Sequence, residues 1–407
     1  MWQKIKNVYH LFVAAFANLI FLFPGRRLIV IGVTGTDGKT TTVSLIYHIL
    51  KLSGEKVASV TSLGVYIENS RYDVGLHTTT PSSLFLQKIM RKALKKKAKY
   101  FVVEVTSHAI DQHRIFGIPF KVGVLTNVTN EHLDYHKTYD SYLKTKASLL
   151  LRARTSITNK DDGSYTFLAD IEKIKDPKRW ITYGLSEGSD VNPNEFPFKS
   201  KLLGEFNKYN VLAAIATCRE LGISDAKIRI AVETYVPPLG RADFVYTDQF
   251  TIMIDFAHTS NAFEQILKTV RPLFKGRIIH VFGSAGKRDA LKRPMMGEIS
   301  SQYSDIMVLT AEDPRGEDVA KIMDEIALGI KQKKSEIIKI PDRKEAIQAA
   351  IHMAGKDDLV IITGKAHEKS MNYTGREESW DEYKVVMDAI SKINEESKQF
   401  QSAEDKV

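Results

Sequence analysis

Leu28-Ile29-Val30-Ile31-Gly32-Val33 runs into Gly35-Thr36-Asp37-Gly38-Lys39-Thr40-Thr41-Thr42, and the segment from Val43 to Leu50 continues in a helical pattern. An apolar strand, a glycine turn, a Lys-Thr pair and a helix, in that order, make a phosphate cradle. The first N–H groups of a helix have no partner within it, and the positive end of the helix dipole points the same way, so both attract an anion. Lys39 is placed to reach the outer phosphates of a nucleotide, and the Thr40 hydroxyl to ligate Mg²⁺. The loop is the shorter GxxGKT form, because Val33 stands where the longer P-loop carries glycine.

Strands and helices alternate beyond it. Tyr100 to Glu104 is an apolar strand ending in a carboxylate. Val122 to Thr126 is another, followed by Asn127 and the polar stretch Asn130-Glu131-His132-Leu133-Asp134-Tyr135-His136. Ligands of parallel α/β sheets gather at the carboxyl ends of the strands, which is where the loop, Glu104 and His132 all fall. A carboxylate beside a phosphate cradle suits Mg²⁺, a hard cation that prefers oxygen ligands. His132, Asp134 and His136 carry no further ligand at zinc-site spacing. After the rigid turn Pro237-Pro238-Leu239-Gly240-Arg241, strands are read at Thr251–Asp255, Ile278–Phe282, Asp305–Thr310 and Asp358–Ile362. Gly283-Ser284-Ala285-Gly286 lacks the third glycine of a dinucleotide fingerprint. The predicted fold is α/β: a P-loop ATPase domain with a mostly parallel sheet, then a Rossmann-like C-terminal domain. The boundaries expected are a hydrophobic helix at 1–27, domains at 28–238 and 239–395, and a flexible tail at 396–407.

The 407 residues, 43% of them hydrophobic, suffice for two domains with real cores. A single cysteine, Cys218, excludes an internal disulfide and any CxxC metal site and suits a reducing, cytoplasmic compartment. The net charge of +9 suits an anionic substrate or a membrane surface, but no aromatic interleaving of the basic clusters supports nucleic-acid binding. The stretch Val8–Phe23 is apolar except for His10 and Asn18, with Lys4 and Lys6 before it and Arg26 and Arg27 after. It falls short of the ~20 residues that span a bilayer. On a helix, Asn7, His10, Ala14, Ala17 and Asn18 form a narrow small-or-polar stripe, so the helix is expected to bury most of its circumference. It could dock on its own domain, lie in a membrane interface, or join a partner protein.

Taken together these residues resemble the Mur ligases, ATP-dependent enzymes that form peptide bonds in cell-wall precursors, and within them the branch that adds the third residue of the stem peptide. The motifs that carry the likeness are Gly35 to Thr42, Thr79-Thr80-Pro81, Glu104 to His108 with Gln112-His113-Arg114, and Asn127 to His136. Gly204-Glu205-Phe206-Asn207 with Asn210, Asp255 to His258, Lys287 to Pro294, Asp313-Pro314-Arg315 and Gly364 to Glu368 complete it. The resemblance implies that ATP phosphorylates a substrate carboxylate and that an amine attacks the acyl phosphate. It implies ATP contacts from Gly35, Thr36, Asp37, Gly38, Lys39, Thr40, Thr41, Asn207, Asn210, Arg241 and Asp255. It further implies Mg²⁺ held by Thr40 and Glu104, and a second Mg²⁺ involving His132 and a carbamylated Lys146. Thr79, Thr80, Ser107 and Arg114 match positions that hold a muramoyl-peptide acceptor. Asp313, Arg315, Gly364 and Glu368 fall in the motifs that hold the incoming amino acid.

Three departures stand out. Only about 27 residues precede the first strand, so nothing here corresponds to the family's N-terminal uridine-nucleotide-binding domain. The motif that selects the amino acid reads Glu312-Asp313-Pro314-Arg315 in place of Asp-Asn-Pro-Arg, which puts an anion where the pattern for meso-diaminopimelate has an amide. Arg315 can still clamp a carboxylate bidentately. Phe256 and Ala366 replace a Tyr and a Gly. The first departure leaves open a second acceptor class, a lipid-linked or polymeric carboxylate at a membrane surface. A non-catalytic nucleotide-binding subunit and a folate-polyglutamylating ligase are the other readings. The retained Lys39, Thr40, Glu104, His132 and Lys146 speak against the first, and the 104–114 and 313–315 motifs against the second.

Overall fold

Ile29–Thr34 forms β1, the strand on which the first sheet is organised. Its side chains alternate between two buried clusters. Val30 packs with Phe101, Val103, Leu86 and Met90, whereas Ile31 and Val33 pack with Val102, Val124, Ile46 and Leu212. A strand covered on both faces reads as a continuous apolar run, which is why it is so visible in the sequence. The other strands are β2 (Val57–Thr61), β3 (Gly64–Ile67), β4 (Ser70–Tyr72), β5 (Tyr100–Glu104), β6 (Phe120–Leu125), β7 (Thr155–Asn159) and β8 (Arg179–Tyr183). They lie in the order β4-β3-β2-β5-β1-β6-β7-β8. All neighbours are parallel except β2 with β3 and β3 with β4. The chain leaves β1 toward β2 on one side and later adds β6 on the other, so the order reverses at β1, where such sheets bind ligands.

This computed structural model describes residues 2–75, 79–174, 179–331 and 335–404. The chain divides into two compact units, Met1–Pro238 and Leu239–Val407. The second holds β9 (Asp243–Thr247), β10 (Thr251–Asp255), β11 (Ile278–Phe282), β12 (Ile306–Leu309), β13 (Glu336–Lys339) and β14 (Leu359–Thr363) in the order β13-β12-β11-β14-β10-β9. Only β9 runs antiparallel to its neighbour. A separate hairpin pairs β15 (Ser370–Asn372) with β16 (Glu377–Ser379). Helix Glu382–Glu404 closes the described chain. It continues through residues 396–404, where a flexible tail is expected from the sequence, because Glu, Lys, Gln and Ala are strong helix formers even without an apolar stripe.

The N-terminal helix, Trp2–Ile20, docks on its own unit through the small-or-polar stripe. Ala14 and Ala17 are fully buried, and Asn18 donates to the carbonyls of Ala14 and Phe116 at 2.8 Å while accepting from Gln87. Gly117 is required beneath it, since a Cβ there would lie 2.8 Å from the Asn18 amide. The expectation that most of the circumference is buried is not met: Phe12, Phe16 and Leu19 lie on the exposed side. Small residues allow close approach along one narrow seam, and that seam is all the domain covers.

In the second unit Arg343 and Glu382 form a fully buried bidentate pair at 2.9 and 2.6 Å. The guanidinium also donates to the carbonyls of Ala311 and Thr363. Glu382→Ala removes the carboxylate that pairs with Arg343 and leaves the buried guanidinium without its ion-pair partner. Chemical denaturation is expected to show a loss of about 3–5 kcal/mol in the unfolding transition of this unit.

Candidate functional site

Three adjacent strand ends, those of β5, β1 and β6, bring the first cluster together. Helix Lys39–Leu52 starts at Gly38, which has a φ of 79° and supplies no side-chain cap. The leading N–H groups are thus left for a ligand. Glycine is obligatory at both turn positions. A Cβ on Gly35 would lie 1.7 Å from the Thr126 hydroxyl, and one on Gly38 would lie 2.2 Å from the Asn210 amide oxygen. The residues after β6 hold the loop from the side. Thr126 donates to the Asp37 carbonyl at 2.6 Å, and Asn127 both accepts from the Asp37 N–H and donates to its carbonyl.

Lys39 donates to the Thr36 carbonyl at 2.7 Å, folded back on its own turn. Thr40 donates to the Glu104 carboxylate at 3.0 Å, so the hydroxyl and the carboxylate read from the sequence as Mg²⁺ ligands do meet. The donor set is hard oxygen beside an open cradle for phosphate, which fits Mg²⁺ and its preference for sharing ligands with phosphates. Lys146 lies beneath the loop with 1% of its surface exposed and donates to the Gly35 carbonyl at 2.5 Å. Burial, then the nearby Lys39 ammonium, holds its amine well below the ordinary lysine range. The lowered basicity favours the free amine, the form that acts as a nucleophile.

His132 sits in a cluster of rings. Its ring lies against His108 at 5.0 Å and Tyr142 at 6.0 Å. Tyr142 joins these parts: its ring is 4.4 Å from the Lys146 nitrogen, and its hydroxyl is 3.3 Å from that of Thr36. Tyr142 and Lys146 are one helical turn apart on Tyr139–Arg152, a spacing that could have exposed the pairing in the sequence.

The candidate acceptor residues also converge. Thr80 donates to the Glu104 carbonyl and accepts the Thr106 N–H, and Arg114 donates to the Thr80 carbonyl at 2.7 Å. Thr79 precedes Thr80 in the same bend. Ser107 starts a short helix capped by Thr106, and its hydroxyl lies 2.9 Å from the His136 ring nitrogen. In the sequence His136 closes the Asn127-to-His136 motif and is given no role of its own. Burial lowers its pKa below the ordinary histidine value. Asn207 lies in the first turn of the helix that follows Gly204; its amide donates to the Leu203 carbonyl and accepts from Asn210, which in turn accepts from Thr42.

In the second unit the carboxylate of Asp255, at the end of β10, accepts the backbone N–H groups of Ala242 and Ala257. Arg241 stacks over the Phe256 ring at 4.9 Å. A further cluster forms beyond β12 and β14. Lys365, fully buried, donates to Asp313 at 3.0 Å and to Glu368 at 2.5 Å. Asp313 also accepts the Asn372 N–H and the Arg315 guanidinium. Its charge is therefore compensated within the protein, which the substitution of an amide by a carboxylate did not reveal. Gly364, with a φ of 106°, passes the Glu312 carboxylate so closely that a Cβ would sit 3.2 Å from it.

Two family models match: the Mur ligase middle domain over residues 33–218, and the Mur ligase, glutamate ligase domain over residues 240–366. The chain is similar to the UDP-N-acetylmuramoyl-L-alanyl-D-glutamate–2,6-diaminopimelate ligases of Clostridium acetobutylicum and Aquifex aeolicus. It is 36% identical to the first over 393 residues, covering 91% of this chain and 80% of the relative. With the second it shares 37% over 392 residues, covering 92% and 80%. A solved structure of a ligase of that name superposes with a TM-score of 0.61 at 28% identity, covering 90% of this chain and 79% of the other. The folylpolyglutamate synthase of Mycobacterium tuberculosis, solved with ADP and AMPPCP, shares the fold with a TM-score of 0.71 at 16% identity, covering 87% and 92%.

Burial raises the Glu312 carboxyl from 4.5 to about 7, although Lys292, Arg343 and Lys365 pull the other way. The folded state therefore keeps this proton while the unfolded chain loses it, and stability falls as pH rises from about 4.5 to 7. Glu312→Gln, a neutral isostere, is expected to be stabilised by about 3 kcal/mol at pH 8 and not at pH 4.5. Thermal unfolding at the two pH values checks this.

Proposed function

This chain belongs to the Mur ligase family of ATP-dependent, ADP-forming carboxylate–amine ligases, and from that premise we propose that it joins 2,6-diaminopimelate to a UDP-linked N-acetylmuramoyl-L-alanyl-D-glutamate in peptidoglycan precursor synthesis. The observation that carries this reading is the likeness to diaminopimelate ligases over nine-tenths of the chain. The lipid-linked or polymeric acceptor raised by the sequence is not favoured, because these relatives are named for a nucleotide-linked peptide. A nucleotide substrate and a buried free Cys218 agree with a cytoplasmic setting.

The reaction transfers the γ-phosphoryl group of ATP to the acceptor carboxylate, and the amine then attacks the acyl carbon and expels phosphate. Anions crowd together in both steps, so cations and N–H donors set in place beforehand are what catalysis needs. Lys39, released from the Thr36 carbonyl, is assigned to the outer phosphates, beside the uncapped N–H groups of its helix. The Thr40 hydroxyl and the Glu104 carboxylate would hold Mg²⁺, which when bound offsets phosphate charge. For the second ion, His132 and Lys146 are the assigned ligands. As the free base, the Lys146 amine would add to CO₂ and lose a proton, giving the carbamate that the role requires. Asn207, Asn210, Arg241 and Asp255 keep their assignment to the nucleotide from the resemblance alone.

Thr79, Thr80, Ser107 and Arg114 are assigned to the acceptor, with His136 orienting the Ser107 hydroxyl. Arg315 is assigned to a carboxylate of diaminopimelate, and Glu368 to its amino end beside Gly364. Asp313 acts as a positioning residue: its carboxylate draws Arg315 into place and is itself held by Lys365.

Two measurements test the reading. Wild-type protein is expected to release ADP only when UDP-linked muramoyl dipeptide and 2,6-diaminopimelate are both present, with L-lysine and other amino acids far less effective. Lys39→Ala lowers this rate by at least about a hundredfold. ADP release with no acceptor and amino-acid combination would overturn the proposal. Asp313→Asn is expected to raise KM for diaminopimelate about tenfold while leaving KM for the acceptor unchanged, because the contacts it weakens, to Arg315 and Lys365, lie in the segments assigned to the amino acid.

A further inference from the structure

The N-terminal helix is inverted relative to an ordinary surface helix. Its small-or-polar side faces the protein: Ala14 and Ala17 are fully buried and Asn18 is 2% exposed. Asn7 on the same side donates to Asp111 at 2.9 Å. Its apolar side faces outward, with Phe12 70%, Leu19 60% and Phe16 58% exposed, joined by Val8, Tyr9 and Ile20. At 100° per residue these six side chains fall within an arc of about 120°, a continuous apolar stripe. Scattered apolar residues on a surface need no explanation, but a contiguous stripe of aromatic and aliphatic side chains marks an interaction face.

Charge says what covers it. Residues 1–36 contain Lys4, Lys6, Arg26 and Arg27 and no Asp or Glu. Lys6, Arg26 and Arg27 are exposed near the two ends of the helix. A second copy docked through the same stripe would bring these cations together with no acid in the segment to offset them. An anionic bilayer surface offers both partners at once, acyl chains for the stripe and phosphate headgroups for the basic ends. Among the described residues no helix is long and apolar enough to cross a membrane, which selects a helix lying in the interface plane.

We propose that the outward face of helix Trp2–Ile20, flanked by Lys6, Arg26 and Arg27, docks the protein onto an anionic phospholipid surface. This site is separate from the ligase chemistry and does not depend on which substrates are joined. Flotation of the full chain with phosphatidylglycerol-containing vesicles tests it against vesicles of phosphatidylcholine alone. Binding is expected to be at least about tenfold stronger to the anionic vesicles and to weaken with salt. Arg26→Gln with Arg27→Gln lowers it about thirtyfold, at ~1 kcal/mol for each basic residue near the surface. Phe12→Ser with Phe16→Ser lowers it at least about tenfold. Circular dichroism and the thermal midpoint of both variants should match wild type, since these side chains lie outside the packed seam. Absence of flotation, or equal binding to both vesicle types, overturns the proposal. So does a dimer by light scattering that Phe12→Ser with Phe16→Ser dissolves while vesicles remain unbound.

Discussion

Lys146 donates to the Gly35 carbonyl from a position sealed from solvent, and the geometry of the phosphate loop rests on that contact. Gly35 can take its turn only because it lacks a Cβ, and the space is filled by Thr126 from the neighbouring strand. Thr126 and Asn127 grip Asp37 from one side, Lys146 supports the loop from beneath, and Tyr142 links Lys146 to Thr36. The loop is thus fixed by three elements before any ligand arrives. What remains free to answer a ligand is the Lys39 side chain, held by one hydrogen bond to its own turn. Preorganised donors around one movable cation are what electrostatic stabilisation of phosphoryl transfer requires.

The second unit solves a different electrostatic problem. A fully buried ammonium, Lys365, is shared between Asp313 and Glu368, and Asp313 passes the constraint on to Arg315 and the β15 backbone. A buried charge without partners would be costly, so the three side chains must be arranged together or not at all. Asp313 in place of an amide therefore changes the internal charge balance of this cluster more directly than it changes the face shown to a substrate. Arg315 itself sits at a φ of 52°, strained for a residue with a Cβ, and its N–H is tied to the Asn372 carbonyl. Strain of this kind persists only where neighbours over-determine it.

The sequence made the buried parallel strands legible, because a strand covered on both faces is an unbroken apolar run. Tyr100–Glu104, Thr251–Asp255 and Ile278–Phe282 were read at their observed limits. Edge and near-edge strands were not read: β4 and β13 are largely exposed and carry no such run. The Thr40–Glu104 contact followed from strand-end reasoning alone. Tyr142 and His136 were invisible as site residues because their significance is spatial. Tyr142 reaches Thr36 and His136 reaches Ser107 across long stretches of chain, and only the Tyr142–Lys146 pairing has a local spacing that could announce it. The internal neutralisation of Asp313 by Lys365 spans 52 residues and was hidden for the same reason.

The N-terminal helix shows how a local pattern can be read correctly and still mislead. Its small-or-polar stripe identified the docking seam, but amphipathic logic assumes that apolar residues seek the protein interior. Here polar groups make the inward contacts. Asn7 and Gln3 reach Asp111 and Tyr135, and Tyr135 donates to Asp111 at 2.6 Å. The Tyr135 ring packs on His108 and His136, and His136 meets Ser107. The inward face of the helix is thereby joined by a short chain of contacts to the segment assigned to the acceptor. A water-exposed apolar face on the opposite side is unfavourable in proportion to its area, and nothing within the described chain relieves it. Those two facts belong together. A helix fastened by specific hydrogen bonds can carry an outward apolar surface without rolling over to bury it, and that fixed orientation is what an in-plane membrane contact demands.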